Sequence, residues 1–131
     1  MFPSKWRLLV ICLAGFIISA RGQQLYITFN PLNCVNCSIG LYALLREPEI
    51  PIMTIVFKEE DQENEEEWEE TFEFSRFPKI QLIYEDSLFY ALSKDDFESE
   101  IIIRNHAQEE LYRALLKRFN IYVVKKLFVQ E

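Results

Sequence analysis

The sequence predicts an α/β fold: a central mixed sheet of four to five strands flanked by helices. Three observations predict it. Runs rich in β-branched and aromatic residues alternate with helix-like segments through the first half of the 131-residue chain, an order that builds strands joined by helices. Two further strand-like runs separated by a turn signal follow, and such a hairpin adds antiparallel strands to the sheet. Half of the residues are hydrophobic, with 11 Phe and 6 Tyr, enough for so short a chain to bury a core without metal or disulfide staples. With only 3 Gly and 5 Pro, a loop-rich scaffold, a collagen-like repeat and a disordered chain are excluded, and the length allows one domain.

Residues 24–29 read as the first strand, apolar and rich in aromatic and β-branched side chains. Asn30, Pro31 and Asn33 mark a turn. Residues 34–45 read as a helix with Ile39, Tyr42 and Ala43 on one side, although Gly40 weakens it, and Pro48 ends it. Residues 50–57 are a near-continuous apolar run, which suits a strand covered on both faces. Nine of the twelve residues from Glu59 to Glu70 are acidic; 59–64 reads as a solvated loop and 65–74 as a helix, with Trp68 and Phe72 four apart on a core face. Residues 79–84 alternate as a strand, 85–87 read as a hairpin turn and 88–92 as a returning strand. The β-branched run at 101–103 reads as another strand. Asn105 and Gln108 have the spacing of a capping box, which predicts a helix over 106–118 with Leu111, Leu115 and Phe119 in line. Residues 121–129 read as a last edge strand blunted by Lys125 and Lys126.

The start of the chain stands apart. Lys5 and Arg7 precede an apolar run over 8–18, and Ala20-Arg21-Gly22 supplies a small-x-small site. This is the build of a secretory signal peptide over residues 1–22, leaving a domain at 23–131 in the periplasm or secreted space. The apolar run is short for a bilayer span, so no stable membrane span is expected after cleavage; an uncleaved chain would be membrane-anchored. Cleavage removes three cations and makes the domain more acidic than the −7 of the whole chain. A chain of that charge is a poor ligand for nucleic-acid phosphates and for an anionic membrane surface. Cleavage also removes Cys12, leaving Cys34 and Cys37 as the two cysteines of a domain in an oxidising compartment.

The strand at 24–29, the run Asn33-Cys34-Val35-Asn36-Cys37 and the helix after it resemble the thioredoxin superfamily, and in particular its exported thiol–disulfide oxidoreductases. Phe77-Pro78 before the strand at 79–84 extends the resemblance, since Pro78 lies 41 residues after Cys37. In the family a cis-proline opens the third strand beside the dithiol, so the resemblance implies that Phe77 and Pro78 bind substrate there. An alternative makes 79–84 an additional strand and 100–104 the true third strand, with no cis-proline. The sequence departs from thioredoxins at Asn33, where they carry Trp, at Val35-Asn36, where Gly-Pro is common, and at Thr28, where many have a buried Asp.

The chemistry expected of the pair follows from position. At a helix start, unpaired N–H groups and the dipole favour a thiolate at Cys34, while Cys37, a turn further in, is more buried. Cys34 is then the nucleophile and Cys37 the resolving cysteine, acting on protein thiols or disulfides and recharged by a redox partner protein. The dithiol is the redox group and calls for no cofactor. Two thiolates do not complete a metal shell and no His is near in sequence, so no metal is expected. A pair within one helical turn closes too small a loop to stabilise the chain much, which argues against a purely structural disulfide. The alternative is a non-catalytic thioredoxin-like binding module. His106, the single histidine, reads as a surface residue at an element start.

Overall fold

The computed structural model describes residues 23–31, 36–95 and 97–129. The expected signal segment at 1–22 and the first motif cysteine, Cys34, lie outside the described residues. The order of elements is β1 (Gln24–Thr28), α1 (Cys37–Leu45), β2 (Met53–Phe57), α2 (Glu65–Phe72), β3 (Ile80–Tyr84), α3 (Asp86–Leu92), β4 (Glu100–Arg104), β5 (Glu110–Leu115) and α4 (Ile121–Val129). Short 3₁₀ turns cover Glu59–Asn64 and Phe74–Arg76.

The five strands form one mixed sheet in the order β3-β2-β1-β4-β5. β1 runs parallel to β2, and β2 to β3, whereas β4 is antiparallel to β1 and β5 to β4. The α/β class and the five-stranded mixed sheet flanked by helices are therefore as the sequence predicts. Helices α1, α2 and α4 cover one face, where Leu41, Leu44, Phe72 and Val124 meet Leu25, Ile27, Ile55, Ile101 and Ile103. The shorter α3 covers part of the other, packing Phe89 and Leu92 on Val56 and Ile102. Helices on both faces explain why Ile101, Ile102 and Ile103 are all buried in succession. An aromatic cluster of Phe29, Phe57, Trp68 and Phe72 joins α2 to the sheet, with Phe72 buried in the core and Trp68 packed against it, half-buried.

Four segments differ from the sequence expectation. Residues 85–92 do not form a turn and a returning strand; Glu85 is extended and Asp86–Leu92 is helical, because Phe89 and Leu92, one turn apart, share the apolar face. The segment read as the helix 106–118 is instead a turn and strand β5. Asn105 caps a hairpin turn: its Oδ1 accepts hydrogen bonds from Ala107 N (2.9 Å) and Glu109 N (3.0 Å), and Gln108 takes a left-handed conformation at φ 65°. Residues 121–129 form a helix, because Asn120 Oδ1 accepts from the backbone N–H of Tyr122 (3.0 Å) and Val123 (3.3 Å) and so starts it. Lys125 in this helix pairs with Glu47 at 3.6 Å; it blunts no strand edge. The expected loop at 59–64 winds into a 3₁₀ turn that leads into α2.

Candidate functional site

β1 brings the chain to the edge of the sheet from which the cysteine motif departs. Thr28, Phe29 and Asn30 are buried there. β4 is antiparallel to β1 with Thr28 opposite Glu100, so the loop entering β4 returns to this same edge. The two segments are laced together. Asn30 N donates to Ser99 Oγ at 2.8 Å, Ser99 Oγ donates to Asn30 O at 3.5 Å, Asn30 Nδ2 donates to Phe97 O at 3.3 Å, and Glu100 N donates to Thr28 Oγ1 at 3.3 Å. The exit of β1 is thus held in place by the Ser99 side chain and by the backbone of Phe97 and Glu100, about seventy residues further on.

Cys37 is the first residue of α1 and is 1 % exposed, within the core cluster that contains Leu41 and Leu44. Cys37 is therefore buried, as its place in the run leads one to expect. Asn36 precedes it, exposed, at the helix cap and without a side-chain capping bond. Two large apolar side chains stand in solvent around this edge: Ile39 in the first turn of α1 at 79 % exposure, and Phe97 in the loop before β4 at 73 %. Gly40 lets α1 approach the β5–α4 connection closely, since a Cβ there would lie 2.4 Å from Leu116 O and 2.8 Å from Phe119 Cε1.

Glu100 is the buried carboxylate of this region. Its Oε2 meets Arg113 Nη1 at 2.9 Å, and its Oε1 accepts from Lys94 N (2.8 Å), Asp95 N (3.3 Å) and Ser93 Oγ (3.3 Å). The carboxylate fastens the segment between α3 and β4, and with it the approach to Phe97. Arg113 also bonds Glu110, and that hydrogen bond holds the Glu110 carboxyl below its ordinary range. In the sequence Asn30 reads only as a turn residue, and no local pattern marks Ser99 or Arg113. A Glu opening the run Ile101-Ile102-Ile103 was the available signal, because a carboxylate in a buried strand requires partners.

Phe77 and Pro78 are not beside the motif. β3 runs parallel to β2 at the sheet edge, with Ile80 opposite Met53, so the residues before β3 lie at the edge where β1 and β2 begin. Phe77 and Pro78 line a cleft with Leu45, Pro48 and Pro51 at the C-terminal end of α1, the opposite end from Cys37. No peptide bond among the described residues is cis, the Phe77–Pro78 bond included. Their expected substrate-binding place beside the dithiol is corrected accordingly. The neighbouring Lys79 serves the fold instead. Its Nζ donates to Leu44 O (2.9 Å) and Glu47 O (2.7 Å), closing the end of α1. Burial lowers the Lys79 pKa, opposed by the nearby Glu47 carboxylate.

Among the described residues no group of three His, Cys, Asp or Glu side chains could hold a metal ion. No helix among them is long and apolar enough to cross a membrane. The molecule is thus defined, by fold and site, as an α/β protein with a five-stranded mixed sheet and a Cys-x-x-Cys run leading into its first helix. No family model, curated protein or solved structure matches the chain.

Proposed function

We propose that the protein is a thioredoxin-like thiol–disulfide oxidoreductase, working through Cys34 and Cys37 on protein thiols or disulfides in an extracytoplasmic compartment. The observation that carries this reading is the placing of the motif: a strand, Cys-Val-Asn-Cys, then a helix whose first residue is a buried Cys37. The sheet supports it. With β3 and α3 regarded as an insertion, the remaining elements read β-α-β-α followed by β-β-α, with β4 as the third strand. That is the alternative assignment of 100–104 raised by the sequence, and it accounts for the absence of a cis-proline at Pro78.

In the reducing direction, the Cys34 thiolate attacks one sulfur of a partner disulfide. A mixed disulfide forms and the partner's other sulfur leaves as a thiolate. Cys37 gives up its proton and attacks Cys34, forming the Cys34–Cys37 disulfide and releasing the second partner thiol. Two electrons pass to the partner, and a redox partner protein returns the pair to the dithiol; the oxidising direction is the reverse. The test is trapping: a Cys37→Ser variant, expressed in its own compartment, is expected to accumulate mixed disulfides that vanish in the Cys34→Ser, Cys37→Ser double variant. Absence of adducts from the single variant would sink the oxidoreductase reading. The exposed Ile39 and Phe97 favour a second reading, a binding module that holds protein partners without exchange; it expects partners but no covalent adducts.

A further inference from the structure

Beside the motif helix runs a groove with a chemistry of its own. Ile39, Gly40 and Ala43 of α1 form one wall, Leu116 and Phe119 of the β5–α4 connection with Ile121 of α4 form the other, and Asn36, the residue before Cys37, also lines it. The absence of a side chain at Gly40 brings the walls together. The rim is basic, in a chain with a net charge of −7: Lys117 and Arg118 line the groove side by side. Lys117 pairs with Glu98 at 3.0 Å on the surface, and Arg118 has no ion pair among the described residues. Elsewhere the surface carries the acidic tract of Glu59–Asn64 and α2, which repels anionic partners at long range.

We infer that this groove docks an extended protein segment carrying carboxylates beside an apolar side chain, and so selects the partners presented to the cysteine pair. The apolar walls take the aliphatic or aromatic group. Arg118 and Lys117 take the flanking carboxylates, the incoming acid displacing Glu98 from Lys117. The inference deepens the oxidoreductase reading and rests on it for the fate of the docked segment; the binding itself does not need the redox step.

The test uses the full chain and a fluorescent, cysteine-free peptide in which Glu residues flank a central Leu-Phe, with a counterpart in which each Glu is Lys. The acidic peptide is expected to bind by fluorescence anisotropy, the basic one not, and raised salt is expected to weaken binding. The double substitution Lys117→Ser, Arg118→Ser is expected to reduce the affinity roughly fivefold. Ala43→Glu, at an exposed helix position, should reduce it as well while leaving the circular dichroism of the fold unchanged. Equal binding of both peptides, no binding of the acidic one, or full affinity in both variants would overturn the inference. Turnover of a small-molecule disulfide separates the two claims. If the wild-type chain neither reduces it nor oxidises the corresponding dithiol, yet binds the acidic peptide, the oxidoreductase reading falls and the groove stands. If turnover is normal and the peptide results are negative, the groove falls alone.

Discussion

Glu100 places a buried carboxylate directly before three consecutive buried isoleucines, where an unpaired charge would be costly. The fold meets that cost with Arg113 and three donors from the segment after α3. Breaking such a buried pair from one side leaves the remaining charge and N–H groups uncompensated, typically at about 3 kcal/mol. Here Glu110 still neutralises Arg113, so Glu100→Ala is expected to cost about 2 kcal/mol in urea unfolding, and a loss below about 0.5 kcal/mol would contradict the role given to it. Glu110 adds a pH dependence. Its folded pKa is lowered from the ordinary 4.5 by Arg113, so its contribution is present above that value and is lost as pH falls through the depressed folded one. Arg113→Gln is therefore expected to flatten the acid limb of the stability profile below about pH 4.5, measured by thermal unfolding across the acid range. At this scale Cys37 was legible from sequence and the network around Asn30 was not. Its partners lie 67 to 72 residues away along the chain, a separation that no local pattern reports.

At the scale of elements, α1 depends on Gly40. Alanine in place of glycine in a helix interior ordinarily stabilises by about 1 kcal/mol. At this position the added methyl would meet Leu116 O, a backbone atom that cannot rotate away, so the clash outweighs the propensity gain. Gly40→Ala is expected to destabilise by about 1–3 kcal/mol, read from denaturant midpoints at unchanged m-value; stabilisation would show that the β5–α4 connection yields freely. The strands and helices up to β3 were legible because their periods and breakers agree. Beyond β3 the signals conflict. Leu111, Leu115 and Phe119, spaced by four, fit a helical face, yet four is also twice the strand period, and Tyr112 and Ala114 are the pair that turns to the core. Asn105 is as good a cap for a hairpin turn as for a helix, and the antiparallel pairing with β4 decides between them. In 121–129, a run of apolar residues interrupted by two lysines does not by itself separate strand from helix; the bonds from Asn120 do.

At the scale of the whole molecule, the proposed function rests on which edge of the sheet each connection reaches. Because β1, β2 and β3 run parallel, the motif leaves from one edge and Pro78 enters from the other. Because β4 runs back, Ser99 and Phe97 come to the motif's edge in place of Phe77 and Pro78. The class of fold was legible in the alternation of elements, but strand order was not, since it depends on pairings between distant segments. The central claim is that the pair in this setting exchanges electrons and does not merely staple the chain. Its most direct test is equilibration of the full chain in glutathione buffers of graded potential, with Cys34 and Cys37 counted by alkylation and mass. Reversible two-electron exchange of that pair is expected between about −270 and −120 mV, the span of dithiol oxidoreductases. A pair that stays oxidised below about −300 mV, as structural disulfides do, or one that never joins at any potential, would contradict it.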